Sequence, residues 1–217
     1  MGYRDLYYQS HQHASSKCCP TRVFRDHSSQ NLCFRCLIVD DFESYDDLYP
    51  DHNRIFRVWI DGLEDPAVNG SVVGYDSPPF AEQTIVHSGN QSMPLFYNNA
   101  VGISEATKEL TYPRDWTESG ADTLVIWYIG DASNAAEPLY VALNDNAVVT
   151  HDSPNAAQVN KWTEWEIDLQ KFADQDLDVT DINSITLGLG NRSTPIAGDS
   201  GVMYFDDIRL YRSKNAP

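Results

Sequence analysis

Two acidic stretches flanked by apolar residues stand far apart in this chain. One is Val39-Asp40-Asp41-Phe42-Glu43-Ser44-Tyr45; the other is Met203-Tyr204-Phe205-Asp206-Asp207-Ile208-Arg209-Leu210-Tyr211. Neighbours in a strand point to opposite faces, so Asp206 is expected beside Tyr204, Ile208 and Leu210, with Asp207 beside Phe205, Arg209 and Tyr211. An ionised carboxylate turned toward a core is costly unless it is paired or metal-bound. Calcium is a hard cation that takes carboxylate and carbonyl oxygens. The expectation is therefore that the two stretches lie side by side in one sheet, where Asp206 converges on Ca2+ with Asp41 or Glu43. The alternative is that Asp206 caps a turn or pairs with an arginine.

A second set of residues suits a sugar, which needs aromatic faces for stacking and polar side chains for its hydroxyls. If Leu124, Ile126 and Tyr128 point inward, Trp127 points out; if Leu139, Val141 and Leu143 point inward, Tyr140 and Asn144 face out. With Ile185, Leu187 and Leu189 in the core, Gly188, Gly190 and Arg192 line the other face, and the glycines leave a shallow trough. Trp127, Tyr140, Asn144 and Arg192 are expected to floor a carbohydrate cleft. The competing reading covers that cleft with the segment Asp61–Glu82 and buries Trp127, since tryptophans in a sandwich are more often packing than platforms.

Catalysis has a poorer signal. A glycosidase needs two carboxylates at a defined separation across a cleft. Glu105, Glu109, Asp122, Asp145 and Asp152 supply pairs, as any Asp-rich chain does. His87 and His151 are candidate lyase bases, though a loop histidine is usually polar surface. No Walker, dinucleotide-binding, zincin or GxSxG motif is present. The expectation is that the protein is not an enzyme.

The charge balance narrows the partners. Thirty-two acids against 15 bases give a net charge of -17, which excludes a phosphate-binding cationic face and hence nucleic acid. Such acidity serves solubility as well as calcium. No apolar run approaches the roughly 18 residues of a membrane span, and Met1–Leu6 opens no signal peptide. All four cysteines are early, Cys18, Cys19, Cys33 and Cys36, in a C-C…C-x-x-C spacing open to zinc or to two disulfides.

The elements that must position these residues are strands. Residues 1–36 show no period of 2 or 3.6 and read as a poorly structured segment or the remnant of an upstream domain. Asn31–Cys36 resembles the closing "GFRC" of formylglycine-generating-enzyme-like domains over a few residues, and no function is carried from it. From residue 37 the chain breaks into short apolar or alternating runs separated by turn residues. These are 36–42, 55–60, 84–86, 91–97, 104–110, 122–129, 139–143, 147–151, 163–169, 183–190 and 203–211. Residues 61–74 are turn-rich, and the one helix-like piece is 169–173. About ten strands at this spacing imply an all-β, antiparallel sandwich over residues 37–217.

Four motifs, in order, carry a resemblance. Val39–Glu43 resembles the opening "DDFE" of β-jelly-roll carbohydrate-binding modules of family 11 and the galactose-binding-domain-like superfamily. Trp162–Phe172 resembles their "W…EIPLSxF" strand, Asp181–Ile185 their "NIxSI", and Tyr204–Leu210 their closing "FxIDDIxL". Asp61–Glu82 reads as an insertion relative to that family. The resemblance implies a jelly roll and a non-catalytic module that binds a polysaccharide or glycan, as an accessory part of an extracellular or cell-surface bacterial protein. It also implies structural calcium near the meeting of first and last strands, at Asp41 or Glu43 and Asp206, completed by carbonyls of the His87–Asn90 turn. The alternatives are a structural or adhesive sandwich that self-associates and, third, a polysaccharide-active enzyme.

Overall fold

The computed structural model describes residues 36–48 and 53–213. Their strands are β1 (Leu37–Asp40), β2 (Trp59–Ile60), β3 (Ser71–Val73), β4 (Met93–Asn98), β5 (Ile103–Glu109), β6 (Thr123–Ile129), β7 (Leu139–Leu143), β8 (Ala147–Thr150), β9 (Thr163–Asp168), β10 (Ser184–Gly190) and β11 (Ser200–Tyr211). The helices α1 (Ile55–Val58) and α2 (Gln170–Ala173) are one turn each. Two antiparallel sheets face each other as a jelly-roll sandwich. One runs β3-β4-β11-β6-β9 with β1 also on β11; the other runs β2-β5-β10-β7-β8. The residues 1–35 of the expected N-terminal segment, with Cys18, Cys19 and Cys33, lie outside the described residues. Cys36 is disulfide-bonded. Among the described residues no helix is long and apolar enough to cross a membrane.

Alternation fills the space between the sheets. Leu124, Ile126 and Tyr128 of β6, Trp165 and Ile167 of β9, and Ile185, Leu187 and Leu189 of β10 all reach the common core, as their period of two requires. Two departures come from elsewhere. The run Ile55–Ile60, expected as a strand, begins as α1, because spacing of four places Ile55 and Trp59 together in the core. Residues 84–86, also expected as a strand, form a loop held by one bridge between Glu82 and Ser92, while β3 forms inside the stretch read as turns.

β11 is the long central strand. β4 pairs with its first half, Ser200–Phe205, and β1 with its second, Ile208–Leu210, on the same edge. Between them the ladder to β6 slips: Asp206 faces Trp127 and Arg209 faces Val125, with Asp207 at a left-handed φ of 47°. This is a β-bulge, and it reverses the alternation. Met203 and Phe205 point inward before it, Ile208 and Leu210 after it. Asp206 therefore does not share the core face with Ile208 and Leu210, as unbroken alternation predicts; it shares the outer face with Trp127.

One buried acid ties the sheets together. Asp40, at the end of β1, accepts from Tyr45 Oη (2.5 Å), Trp59 Nε1 (2.9 Å) and Lys108 Nζ (2.7 Å) through Oδ2, and from Phe42 N (2.9 Å) through Oδ1. Trp59 and Lys108 belong to β2 and β5 of the opposite sheet. Removing one partner of a buried pair strands the other's charge. Lys108→Met is expected to lower unfolding free energy by about 3 kcal/mol in urea titrations; an unchanged midpoint would show that the pair does not bind the sheets.

Candidate functional site

The two acidic stretches do meet, at the turn formed by residues 87–91. Glu43 Oε1 accepts from the backbone N–H of Asn90 (2.8 Å) and of Gln91 (2.9 Å), and Oε2 accepts from Asn90 Nδ2 (2.9 Å). Gly89 sits at φ +69°, and a Cβ there would lie 2.5 Å from the Glu43 carboxyl carbon, so only glycine fits. Asp206 Oδ2 accepts from His87 N (2.9 Å) and Ser88 N (3.1 Å), and Oδ1 from Asp207 N (2.7 Å). Asp207 Oδ2 meets His87 Nδ1 and Ser88 Oγ, each at 2.7 Å, and Oδ1 pairs with Arg209. Of the expected metal set, Asp41 stands apart, accepting from Glu43 N at 3.4 Å. The turn thus meets its acids with N–H groups, whereas a calcium shell needs its carbonyls. As positioned, this donor set does not fit the calcium shell that the sequence predicts.

The electrostatics follow from the neighbours. Burial pushes the Asp206 carboxyl up to about 7, with Asp207 adding to it and the three N–H groups working against it. Burial also disfavours the charge of Asp207, but His87, Ser88 and Arg209 outweigh it and hold this carboxyl below the usual range. An ionised Asp207 requires His87 Nδ1 to be the donor. The His87 ring lies flat on Trp127, centroids 3.7 Å apart and 14° from parallel, with Trp162 edge-on at 5.8 Å. Trp127 is therefore the base on which this turn rests.

The sheets separate the expected sugar residues. Trp127 is on the outer face of the β6 sheet, whereas Tyr140, Asn144 and Arg192 belong to the other sheet and its loops. The expected floor of four residues is not one surface, because membership of a sheet is set by long-range pairing. Asn144 is bound into its turn: its Oδ1 accepts from Asn183 N (2.6 Å) and Ser184 N (3.2 Å), and its Nδ2 donates to Asp181 O (2.9 Å). Nor do Gly188 and Gly190 leave a trough beside them. Tyr140 lies over Gly188 and is 1% exposed.

The outer face of the β10 sheet is built instead from two cross-strand rows. Glu105, Gly188, Tyr140 and Thr150 form one; Ile60, Thr107, Thr186, Ala142 and Val148 form the next and cross all five strands. That second row has small residues in the middle and larger ones at the edges. Thr107 and Thr186 join their hydroxyls at 2.8 Å. In the first row, Tyr140 Oη donates to Glu105 Oε1 (2.5 Å), and Arg192 Nε donates to the same oxygen (2.7 Å). Arg192 is braced in turn by the Asp145 carboxylate and by its carbonyl at 3.0 Å. Burial, with Glu105 beside it, pushes the Tyr140 hydroxyl up, so it stays a donor. Glu105 Oε2 has no hydrogen-bond partner among the described residues. Alternation along 104–110 already turned Glu105 outward, but only the pairing of β5 with β10 shows Tyr140 and Arg192 beside it.

No family model and no curated protein matches this chain. Solved structures do. An exo-β-agarase is matched over 83% of this chain, with 15% identity and a TM-score of 0.52; the chain spans only 25% of that protein. The family 11 carbohydrate-binding module CtCBM11 is matched over 82% of this chain and 95% of its own, with 15% identity and a TM-score of 0.50. The family 11 module of Clostridium thermocellum, solved with a β-1,3-1,4-mixed-linked tetrasaccharide, is matched at 17% identity and a TM-score of 0.48. The chain has the β-sandwich fold of family 11 carbohydrate-binding modules, as the four sequence motifs imply. The neighbours covered almost whole are modules; the agarase is matched over a part.

A side chain at position 188 would collide with the Tyr140 ring. Gly188→Ala is expected to destabilise the domain by about 2 kcal/mol through this overpacking and to release Glu105. Denaturant titration checks it, and a neutral outcome would mean that Tyr140 swings aside freely.

Proposed function

We propose that this domain is a non-catalytic carbohydrate-binding module that takes its glycan on the outer face of the β10 sheet. One observation carries the reading. Glu105 is locked through one oxygen by Tyr140 and Arg192, which leaves its second oxygen as a fixed acceptor beside the row of small residues. A pre-oriented carboxylate at the surface of this sheet suits sugar hydroxyls, whose hydrogen bonds to a charged group are the stronger kind. The shared fold supports this reading. So do the histidines: His87 is committed to Asp207, and His151 accepts from Ser153 N (3.0 Å) while its Nε2 meets Tyr128 Oη (3.1 Å). The disulfide at Cys36 supports an extracellular or cell-surface setting, since such bonds persist in oxidising compartments. The module would act as an accessory part of a longer protein.

Affinity electrophoresis through soluble neutral polysaccharides, followed by calorimetry, tests this. Glu105→Ala and Arg192→Ala should each weaken binding by roughly tenfold or more, while Trp127→Phe leaves it unchanged. Retention of full affinity in both Glu105→Ala and Arg192→Ala sinks the proposed face.

A second reading, self-association, rests on a separate observation. Ile60, Leu63 and Val68 are 57%, 65% and 60% exposed on neighbouring segments, and Ile60 and Leu63 border a cavity of about 520 Å³ with Phe56 and Tyr75. Exposed apolar groups of this kind mark contact surfaces. Sedimentation should then show concentration-dependent dimers that Leu63→Asp abolishes; a monomer at all concentrations removes this reading.

A further inference from the structure

We infer that the acidic turn of this domain is closed by the chain's own donors and that its fold does not depend on calcium. Asp206, Asp207 and Glu43 offer six carboxylate oxygens, and each of the six accepts from at least one donor of the protein. Calcium demands six to eight oxygens turned toward a common centre. Here the peptide planes of the turn aim N–H groups at the acids, which is the arrangement of an anion-binding nest. The anions it holds are the protein's own Glu43 and Asp206.

The cationic partners of these acids are in place as well. Arg209 pairs with Asp207 from within β11, and the His87 imidazole closes on the other oxygen. A dication placed between these acids would meet a guanidinium already in contact, and it would break bonds of 2.7 to 3.1 Å that the turn's geometry is shaped to make. Gly89 shows how close that fit is, since even a methyl group would strike Glu43. Trp127, stacked beneath His87, holds the imidazole in place. The site expected for a metal thus reads as a cross-linked loop anchor.

The test uses the whole chain. After exhaustive chelation, thermal unfolding is followed by circular dichroism with chelator and with about 1 mM calcium chloride. A ligand of the folded state raises the melting temperature by mass action, by several degrees at a hundredfold excess over Kd. The expected result is coincident transitions, within about 2 °C. A larger rise with calcium overturns the inference if Glu43→Ala abolishes it. A rise that survives Glu43→Ala overturns it too, since Asp206 and Asp207 remain in that variant. Glu43→Ala itself should lose the same number of degrees with and without calcium. If that variant does not fold, calorimetric titration of the wild-type chain with calcium decides: one-to-one binding overturns the inference, and absence of heat supports it.

Discussion

The buried carboxylate of Asp40 is the interaction on which this sandwich most depends. It lies between two sheets whose facing surfaces are mostly apolar, and it draws donors from both sides of the core. A charge in such a place is tolerable only when its oxygens are filled. Four donors fill them, and the geometry of the neighbouring chain follows. Phe42 turns back at φ 57° so that its N–H reaches Asp40. That reversal carries Glu43 away from β1 and onto the turn at 87–91. It also lays the Phe42 ring 6.0 Å from Trp59, closing the core around the ion pair.

Acidic residues in this chain act largely as acceptors for its own loops. Glu43 and Asp206 hold the turn before β4; Asp61 takes the N–H groups of Leu63 and Val73; Glu82 takes those of Thr84 and Ile85. Burial works against the charge of Glu82, but hydrogen bonds from Thr84 and Tyr75 outweigh it and hold the carboxyl at about 2. An excess of acid over base therefore does structural work here that composition cannot distinguish from solubility. It also leaves Arg192, the cation beside Glu105, balanced by two carboxylates.

Local alternation made much of the core readable. The inward sets of β6, β9 and β10 follow from a period of two, and the order of four short motifs gave the jelly roll. The sites were less legible, for three physical reasons. A single bulge at Asp207 reversed the phase of β11 and moved Asp206 from the inner face to the outer one. Sheet membership is a long-range property, so alternation alone does not separate Trp127 from Tyr140, which lie in different sheets. And a side chain's partners, such as Tyr140 and Arg192 on Glu105, are set by register between strands far apart in sequence. Asp40 stands beside Asp41 with nothing local to show that it reaches Trp59 of β2 and Lys108 of β5.

The pairing of Leu37 with Leu210 has a mechanical side. The chain enters the domain and leaves it on adjacent antiparallel strands, so both tethers emerge from the same end. A pull between neighbouring modules would then act on the β1–β11 ladder from its open end and peel its bonds one after another, the weak direction for a sheet. The domain is thus built to yield along its own chain from the Leu37–Leu210 pair inward.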